Sequence, residues 1–352
     1  MRALLPLMIA CGTASAEPDA PPVPLDGVVL SGATIVGQDR ATIAIRGGRF
    51  VEPEDGMSVV DLSDRWIVPA FIDSHVHVAY DPRGDELVRG GIVGGVDWAA
   101  PLAALSSTQA PTIVWSGPMI TAPGGYPLDS WGADGYGIAV ETPEEARSAV
   151  DEVYEAGARV VKIPMGASTA DLSDEVISAT IERAHEKNMP VGVHALSDRD
   201  ALRAAQLGAD ILVHAPNRTL SDETVQAWST RAFVPTISAF GGSESTRQLA
   251  TAGAEPLYGT DFGNTRVAGI SQRELSGMVQ AGLTPQQILT SGTQAPATRF
   301  GMTDLGAIEV GKEASLLIVD VDPLLDPLTL ANASIILHKG AVVTGELPAT
   351  TP

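Results

Sequence analysis

Two histidines separated by one residue interrupt an apolar segment of the chain, FIDSHVHV at residues 71–78. In an extended strand alternate side chains point to the same face, so His75 and His77 share one face while Val76 and Val78 take the other. Two imidazoles held side by side in apolar surroundings either form a hydrogen-bonded pair in the core or bind a ligand between them. The rest of the sequence has to distinguish these two roles.

Four further polar residues end or interrupt apolar segments elsewhere in the chain. They are Lys162 in VVK, His194 in VGVH, His214 in LVH and Asp261 in GTD. Each of them has a structural explanation when taken alone; Asp261, for example, would cap the turn that follows it. Six residues at the same relative place in their segments, counting the histidine pair, indicate a shared role.

The elements that would position these residues alternate between strands and helices. Beyond residue 142 amphipathic helices separate apolar segments, and the first helix opens with the capping sequence Thr142-Pro143-Glu144-Glu145 and runs to Gly157. Closely spaced strands that are apolar on both faces are typical of a parallel sheet covered by helices. The predicted strands are 71–78, 90–98, 112–118, 158–164, 190–195, 209–215, 232–239 and 255–261.

Eight such strands predict an α/β fold, a (β/α)8 TIM barrel over residues 70–303, with an open doubly wound sheet as the alternative. The carboxyl ends of the strands of a TIM barrel form the mouth of the active site. All six polar residues would therefore converge on one cavity.

Lys162 is the most informative of the six, because Val160, Val161, Ile163 and Pro164 surround it in sequence. A lysine in apolar surroundings is desolvated, which disfavours the ammonium form and leaves a nucleophilic amine. That amine can form a Schiff base with a carbonyl substrate. It can also react with CO2 to give a carbamate, an anionic ligand that bridges two metals. Four histidines and Asp261 at neighbouring strand ends favour the carbamate.

Both ends of the chain have a different sequence pattern from the alternating strands and helices of the middle. Short β-branched segments divided by glycine and aspartate turns predict a small β-sandwich domain built from residues 27–69 and 304–345. Residues 1–16 are typical of an export signal, with Arg2 before a short apolar stretch, and residues 17–26 are typical of a tether. Cys11, the single cysteine, ends a segment that resembles a lipobox, so the signal would end before Cys11 if lipid is attached there. We expect an exported protein, either periplasmic or anchored to the membrane as a lipoprotein.

Composition restricts the partners. The formal charge of −21 over 352 residues argues against nucleic acid or an anionic membrane, since either requires a basic face. Hydrophobic residues make up 44% of the chain, which excludes general disorder, and no apolar run is long enough to span a membrane. We therefore expect a small-molecule substrate. The sequence does not define the oligomeric state.

The arrangement HVH, VVK, VGVH, LVH and GTD, with β-rich segments on both sides, resembles the amidohydrolase superfamily of metal-dependent hydrolases. It is most similar to the branch with imidazolonepropionase-like and Xaa-Pro dipeptidase-like members and a carboxylated lysine. The resemblance covers about residues 27–345, and its most specific pieces are PAFIDSHVH and GTDFG.

The resemblance implies two divalent metals, with zinc expected and manganese, iron or cobalt as alternatives. A hydroxide that bridges the metals would attack an amide, lactam, ester or dipeptide bond, including an Xaa-Pro bond. Asp261 would serve as general base and then as general acid. The implied ligands are His75, His77 and Asp261 for the first metal, His194 and His214 for the second, and carboxylated Lys162 as the bridge.

Two other classes of function stay open at this stage: a Schiff-base lyase that uses Lys162, and a catalytically silent binding protein on the same barrel. Specificity would come from the loops at 118–137 and 238–246. In the first loop Tyr126, Trp131 and Tyr136 either line a cleft for apolar or cyclic groups or serve only in packing.

Overall fold

The computed structural model describes residues 24–38, 42–108 and 110–351. The predicted signal at 1–16, with Cys11, and residues 17–23 of the predicted tether lie outside the described residues, so export and lipid attachment stay predictions. The last residues of the tether do not lead away from the fold, because the N–H of Leu25 donates to the carbonyl of Gly340 at 2.8 Å. Within the described ranges, no helix combines the length and the apolar character that a membrane span requires.

The described chain begins and ends in short strands. The strands before the middle of the chain are β1 (Val28–Ser31), β2 (Thr34–Ile35), β3 (Thr42–Arg46), β4 (Arg49–Val51), β5 (Ser58–Asp61) and β6 (Trp66–Pro69).

The middle of the chain alternates strands and helices as predicted. Its strands are β7 (Phe71–Val76), β8 (Ile92–Asp97), β9 (Thr112–Trp115), β10 (Met119–Thr121), β11 (Gly137–Ala139), β12 (Val161–Pro164), β13 (Val191–His194), β14 (Ile211–Leu212), β15 (Ala232–Phe233) and β16 (Glu255–Pro256). The helices are α1 (Gly84–Arg89), α2 (Pro143–Glu155), α3 (Asp174–Glu186), α4 (Asp198–Gln206), α5 (Asp222–Trp228), α6 (Ile237–Phe240), α7 (Ser243–Ala252), α8 (Gln272–Gln280), α9 (Pro285–Ser291) and α10 (Gln294–Arg299). The chain then closes with β17 (Leu316–Val319), β18 (Ile335–His338) and β19 (Ala341–Thr344), and two 3-10 segments occupy Leu102–Ser106 and Pro327–Asn332.

The strands from both ends form two mixed sheets, ordered β4-β3-β1-β5 and β19-β18-β17-β6-β2. Their inner faces share one apolar core, to which Leu30, Ile43, Ile67, Leu316 and Leu337 contribute. All of these strands lie within the two segments predicted for the β-domain. The chain also continues past the predicted end, because the N–H of Thr351 donates to the carbonyl of Val59 at 2.8 Å.

The eight predicted central strands lie in two parallel sheets, β7-β8-β9 and β12-β13-β14-β15-β16, and β10 pairs with β11 in a small extra sheet. Backbone hydrogen bonds connect the two parallel sheets on both sides. The N–H of Arg159 donates to the carbonyl of Trp115 at 2.9 Å, and on the other side the N–H of Ser74 donates to the carbonyl of Tyr258 at 2.7 Å. The α/β class is therefore confirmed.

The predicted helix start at Thr142 is present, with the Thr142 hydroxyl accepting from the Glu145 N–H at 3.2 Å. The predicted strand at 232–239 is wrong in its second half, because only Ala232–Phe233 is a strand and Ile237–Phe240 is a helical turn. Thr236 has a positive φ of 44°, which ends the extended backbone. The predicted strand at 255–261 is likewise reduced to Glu255–Pro256.

A buried carboxylate joins β7 to the segment that follows β16. Asp73 accepts hydrogen bonds from the N–H groups of His75 and Thr260, both at 3.0 Å, and from the Thr260 hydroxyl at 2.6 Å. Asp73 is fully buried. Loss of any one donor would leave its carboxyl group away from water with one hydrogen bond fewer, which is unfavourable.

Replacing Thr260 with valine removes the hydroxyl donor at nearly constant volume. We expect Thr260→Val to lower the free energy of unfolding by about 1–3 kcal/mol, because the Asp73 carboxyl loses a buried partner. Thr260→Ser keeps the hydroxyl and should lose less. Urea unfolding of the metal-free proteins measures both, and a Thr260→Val variant as stable as the parent would show that the hydrogen bond between Thr260 and Asp73 does not stabilise the fold.

Candidate metal centre

Three of the predicted ligands form a close cluster. Strand β7 supplies His75, the residue directly after β7 is His77, and the segment after β16 supplies Asp261. Asp261 Oδ1 lies 3.1 Å from His77 Nε2 and 3.4 Å from His75 Nε2, and the two Nε2 atoms are 3.3 Å apart. Among the described residues, this is the single group of three or more His, Cys, Asp or Glu residues whose ligand atoms all lie within 4.8 Å of one another.

The close approach of the two segments depends on Gly259. A Cβ atom at this position would lie 2.3 Å from Val234 Cγ1 and 3.1 Å from the backbone nitrogen of His75. Asp261 itself has a φ of 57°, which turns its carboxylate toward the histidines. Only a glycine two residues before the carboxylate therefore allows this geometry.

The hydrogen bonds of His75 suit a metal ligand. Its Nδ1 lies 2.8 Å from the carbonyl of Val213, which assigns the proton to Nδ1 and leaves the Nε2 lone pair facing His77 and Asp261. His77 Nδ1 is buried and has no hydrogen-bond partner within the described ranges; Asp97 Oδ1 is 3.9 Å away. Two imidazoles and one carboxylate with lone pairs around a common point fit a divalent cation such as zinc.

The other three predicted residues lie beside this cluster. The ring of His214 stacks on His75 with centroids 4.5 Å apart, and the His194 ring is 4.8 Å from that of His214. His214 Nδ1 bonds to the Thr236 hydroxyl at 2.9 Å, which fixes the ring. Lys162 is buried in β12 with Nζ 5.7 Å from the centre of the Trp98 ring. The structure thus brings the six residues into one site, and their roles as ligands stay a prediction.

Burial sets the charge state of the site. It lowers the pKa of His194 to about 3, with the Lys162 charge as the next cause, and it lowers the pKa values of His75 and His214 well below the usual range. Burial also lowers the pKa of Lys162 to about 7, against the opposing effect of the Asp261 and Asp97 charges. Neutral imidazoles and a lysine amine are the forms that a metal centre and a carbamate require.

Asp261 does not cap its turn through its side chain. The N–H groups of Asn264 and Thr265 bond to the main-chain carbonyl of Asp261, at 3.1 and 2.8 Å. The Asp261 carboxylate instead accepts from the side-chain amide of Asn264, at 3.1 and 3.2 Å. The carboxylate is therefore directed at the histidines and held there by Asn264.

A cavity of about 570 Å³ opens above the cluster. Tyr126 and Trp131 line it, as does Phe240 from the predicted specificity loop 238–246. Tyr136 does not line this cavity; its hydroxyl donates to the carbonyl of Ala79 at 3.1 Å and its ring packs on Trp131. Of the two roles left open for the aromatic residues of the first loop, Tyr126 and Trp131 therefore line the cavity and Tyr136 serves in packing.

Sequence reasoning missed several supporting residues. Asp97 ends β8, the position that singled out the other six, and it accepts the N–H groups of Ala79 and Ala99 at 3.0 Å. Strand-end position was the signal that should have included it. Asp73 and Glu274 gave no such signal, because their partners lie far away in sequence.

Known proteins are similar to this chain in sequence and in fold. The model of the amidohydrolase family matches residues 241–345. The imidazolonepropionase of Micrococcus luteus is 27% identical over 318 residues, 83% of this chain and 73% of the relative, and the adenine deaminase of a Bradyrhizobium species is 24% identical over 82% of this chain and 51% of the relative. The crystal structure of a Xaa-Pro dipeptidase with bound methionine in its active site superposes with a TM-score of 0.77, 21% identity, and coverage of 90% of this chain and 100% of that chain.

The family match, the relatives and the shared fold support a hydrolase of the amidohydrolase superfamily, as the motifs of the chain predicted.

One wall of the cavity depends on a buried glutamate. Glu274 in α8 is fully buried, and its carboxyl accepts the N–H of Ile237 at 2.9 Å and that of Ser238 at 2.7 Å. These bonds hold the start of α6, which carries Phe240 into the cavity wall. Burial raises the pKa of Glu274 to about 7, although the two N–H donors oppose the shift.

This raised pKa predicts a pH-dependent stability. Between the ordinary glutamate pKa of 4.5 and about 7 the folded protein keeps a proton that the unfolded chain has lost, so the free energy of unfolding falls as pH rises through this window. Glu274→Gln lacks this contribution. We therefore expect the stability of the parent relative to Glu274→Gln to be greater at about pH 5 than at about pH 7.5.

Urea unfolding of the metal-free proteins at the two pH values measures the difference. Glu182→Gln, at an exposed position of α3, is the matched control and should follow the parent at both. A difference between parent and Glu274→Gln that does not change with pH would contradict a raised pKa at Glu274.

Proposed function

We propose that this protein is a binuclear metal-dependent hydrolase that cleaves a carbon–nitrogen bond of an amide, lactam or dipeptide, or an ester bond. The observation that carries the proposal is the cluster of His75, His77 and Asp261, with His194, His214 and Lys162 beside it. The names of the similar proteins support this range of bonds, since one is an imidazolonepropionase and another a Xaa-Pro dipeptidase.

We also infer that the eight parallel strands form a closed (β/α)8 barrel with a β-sandwich beside it. The support is the backbone hydrogen bonds that connect the two parallel sheets along two seams, one on each side. At one seam His77 N–H bonds to the carbonyl of Phe262 at 2.7 Å, and at the other Arg159 bonds to Trp115. In such a barrel Lys162 lies within β12 and the other five site residues lie at or beyond the carboxyl ends of β7, β13, β14 and β16, on the side where TIM-barrel enzymes have their active sites.

The proposed ligands divide between two metal positions. His75, His77 and Asp261 would hold the first ion, and His194 and His214 the second, with zinc as the expected metal. Lys162 would bridge them as a carbamate, which forms when its neutral amine attacks CO2 and loses one proton. The lowered pKa of Lys162, about 7, supports this step because a large fraction of the amine is then neutral near pH 7. Two bound ions would supply an acidified water and a polarised carbonyl.

Asp261 is the proposed proton carrier. Its carboxylate lines the cavity, so it is in place to take a proton from the attacking water and to deliver it to the leaving nitrogen. Asn264 holds both carboxylate oxygens through its amide, and so fixes the direction of the transfer. The aromatic residues Tyr126 and Trp131 would exclude bulk water from the reacting groups.

Two alternatives fit less of the site. A Schiff-base lyase would use the Lys162 amine but leaves the buried histidines and Asp261 without a role. A silent binding protein needs no complete ligand set, whereas each of the six predicted residues is present and buried. The hydrolase uses all of them.

Lys162 provides the first test. We expect Lys162→Ala to lose most metal and activity, and acetate to restore part of both, since a free carboxylate can take the place of the bridging carbamate. Lys162→Met is the matched control, because its side chain fills the space and should prevent rescue. Metal analysis by mass spectrometry should find about two ions per parent chain. Rescue by a primary amine and not by acetate would favour the lyase.

Asp261 provides the second test. We expect Asp261→Asn to fold and to keep substantial metal, because the amide oxygen still coordinates weakly and the other ligands remain. Its turnover per bound metal should fall by about 10²–10⁴-fold, the usual contribution of a positioned acid–base group. The assay is hydrolysis of N-acyl amino acids, Xaa-Pro dipeptides, lactones and cyclic ureides by metal-loaded protein. Equal turnover per metal in parent and variant would remove Asp261 from the mechanism.

A further inference from the structure

Six of the eleven residues that line the cavity above the metal centre are aromatic or aliphatic, and the other five are His194, Ser238, Asp261, Asn264 and Thr265. Tyr126, Trp131 and Phe240 supply its rings, and Ala167, Leu196 and Ala239 its aliphatic surface, within a volume of about 570 Å³. This size accommodates a small organic molecule. Among the described residues that line the cavity there is no lysine or arginine, and Asp261 is its sole carboxylate.

The three rings stand directly against the predicted metal ligands. The Trp131 ring centre is 5.9 Å from that of His77, the Tyr126 ring is 5.6 Å from His194, and the Phe240 ring is 4.5 Å from His214. A substrate group next to the scissile bond must therefore lie among aromatic rings. Flat apolar groups suit such surroundings.

The polar atoms of these rings are neutral. The indole N–H of Trp131 donates to the Tyr126 hydroxyl at 3.0 Å. The Tyr126 hydroxyl accepts this bond and keeps its own hydrogen, which it can donate to a carbonyl. A neutral donor of this kind binds an amide or ester oxygen but does not neutralise a full negative charge.

Arginine side chains of the adjoining loops do not supply a positive charge to the cavity lining. Arg218 and Arg266 are exposed and are not among the lining residues, and Arg199 pairs with Asp200 at 2.9 Å. Arg83 is held by Asp81 at 2.7 Å. Outside the proposed metal positions, a substrate carboxylate in the cavity would thus lose its water without gaining a cationic side chain from the lining, which is costly. The net charge of −21 adds a long-range repulsion of anions.

We propose that the substrate is an uncharged amide, lactam or ester with a flat apolar ring, and that it carries no free carboxylate beside the scissile bond. This inference rests on the proposed hydrolase function and narrows its substrate class. It separates this chain from the similar Xaa-Pro dipeptidase, since a dipeptide has a free carboxylate by its nature.

A pair of hydrolysis-resistant ligands tests the inference on the metal-loaded, full-length protein. N-benzylsulfonyl-pyrrolidine and N-benzylsulfonyl-L-proline differ only in the carboxylate. Calorimetry should show the neutral ligand binding at least about 10-fold more tightly than the acid, because the acid buries an unpaired charge. N-methylsulfonyl-pyrrolidine, which lacks the ring, should bind more weakly than the benzyl compound. Equal or tighter binding of the acid overturns the inference, and so does the absence of binding by the neutral ligand.

A charge placed in the cavity wall provides the matched variant test. Ala167 is half-buried in the lining, so Ala167→Arg adds a cation there, while Ala167→Gln adds length without charge. We expect Ala167→Arg to narrow or reverse the preference for the neutral ligand and Ala167→Gln to retain it. An unchanged preference in Ala167→Arg would contradict its electrostatic origin.

Turnover distinguishes this inference from the proposed function. N-phenylacetyl-pyrrolidine and N-phenylacetyl-L-proline present the same amide with and without the carboxylate. A neutral-ligand preference in the binding experiment, with no hydrolysis of any amide, lactam or ester by metal-loaded protein, would refute the hydrolase and leave the cavity's preference intact. Hydrolysis in which the acid is the better substrate by kcat/KM would refute the preference and leave the hydrolase intact.

Discussion

The buried carboxylate of Asp73 is the interaction on which the site depends. It lies between the segments that carry His75 and Asp261, which are remote in sequence, and it accepts N–H donors from both, at His75 and at Thr260. Burying a carboxylate is unfavourable unless donors replace its water, and three donors do so here. The register between β7 and the chain after β16 is thereby fixed, and with it the distance between the histidine pair and Asp261.

Two residues in left-handed backbone conformations complete this positioning. Thr236 has a φ of 44° and bonds to the His214 ring, and Asp261 has a φ of 57° and faces His75 and His77. Non-glycine residues occupy this region at a cost that the surrounding contacts must offset. Around Thr236 the offset comes from Glu274, whose carboxyl receives the next two N–H groups. Ligand geometry is thus maintained by buried acids that touch no proposed metal position.

The sequence was sufficient to predict which side chains meet, because their common place at strand ends is a local property. Lys162 and His194 could be grouped in this way although they lie on different strands, and the structure places them on adjacent paired strands, with Lys162 opposite Gly192 and Pro164 opposite His194. Asp73 could not be assigned a role, since its partner Thr260 is 187 residues away. The turn at Ile237–Phe240 was hidden for the same reason: its N–H groups are satisfied by Glu274, 37 residues from Ile237, while the local pattern is that of a strand. Local periodicity predicts elements, and distant polar partners decide where they end.

The β-domain has a consequence for how the chain is made. Strand β6 pairs with β17, so that Trp66 lies opposite Val319, and the whole strand–helix region is synthesised between them. During vectorial synthesis the hydrogen-bonding edge of β6 that β17 later covers leaves the ribosome unsatisfied and stays so until the C-terminal strands follow. The strand–helix region can begin to fold while β6 is still without its partner strand β17. Completion of the β-domain is then a late event, because it requires that β17, β18 and β19 have been translated.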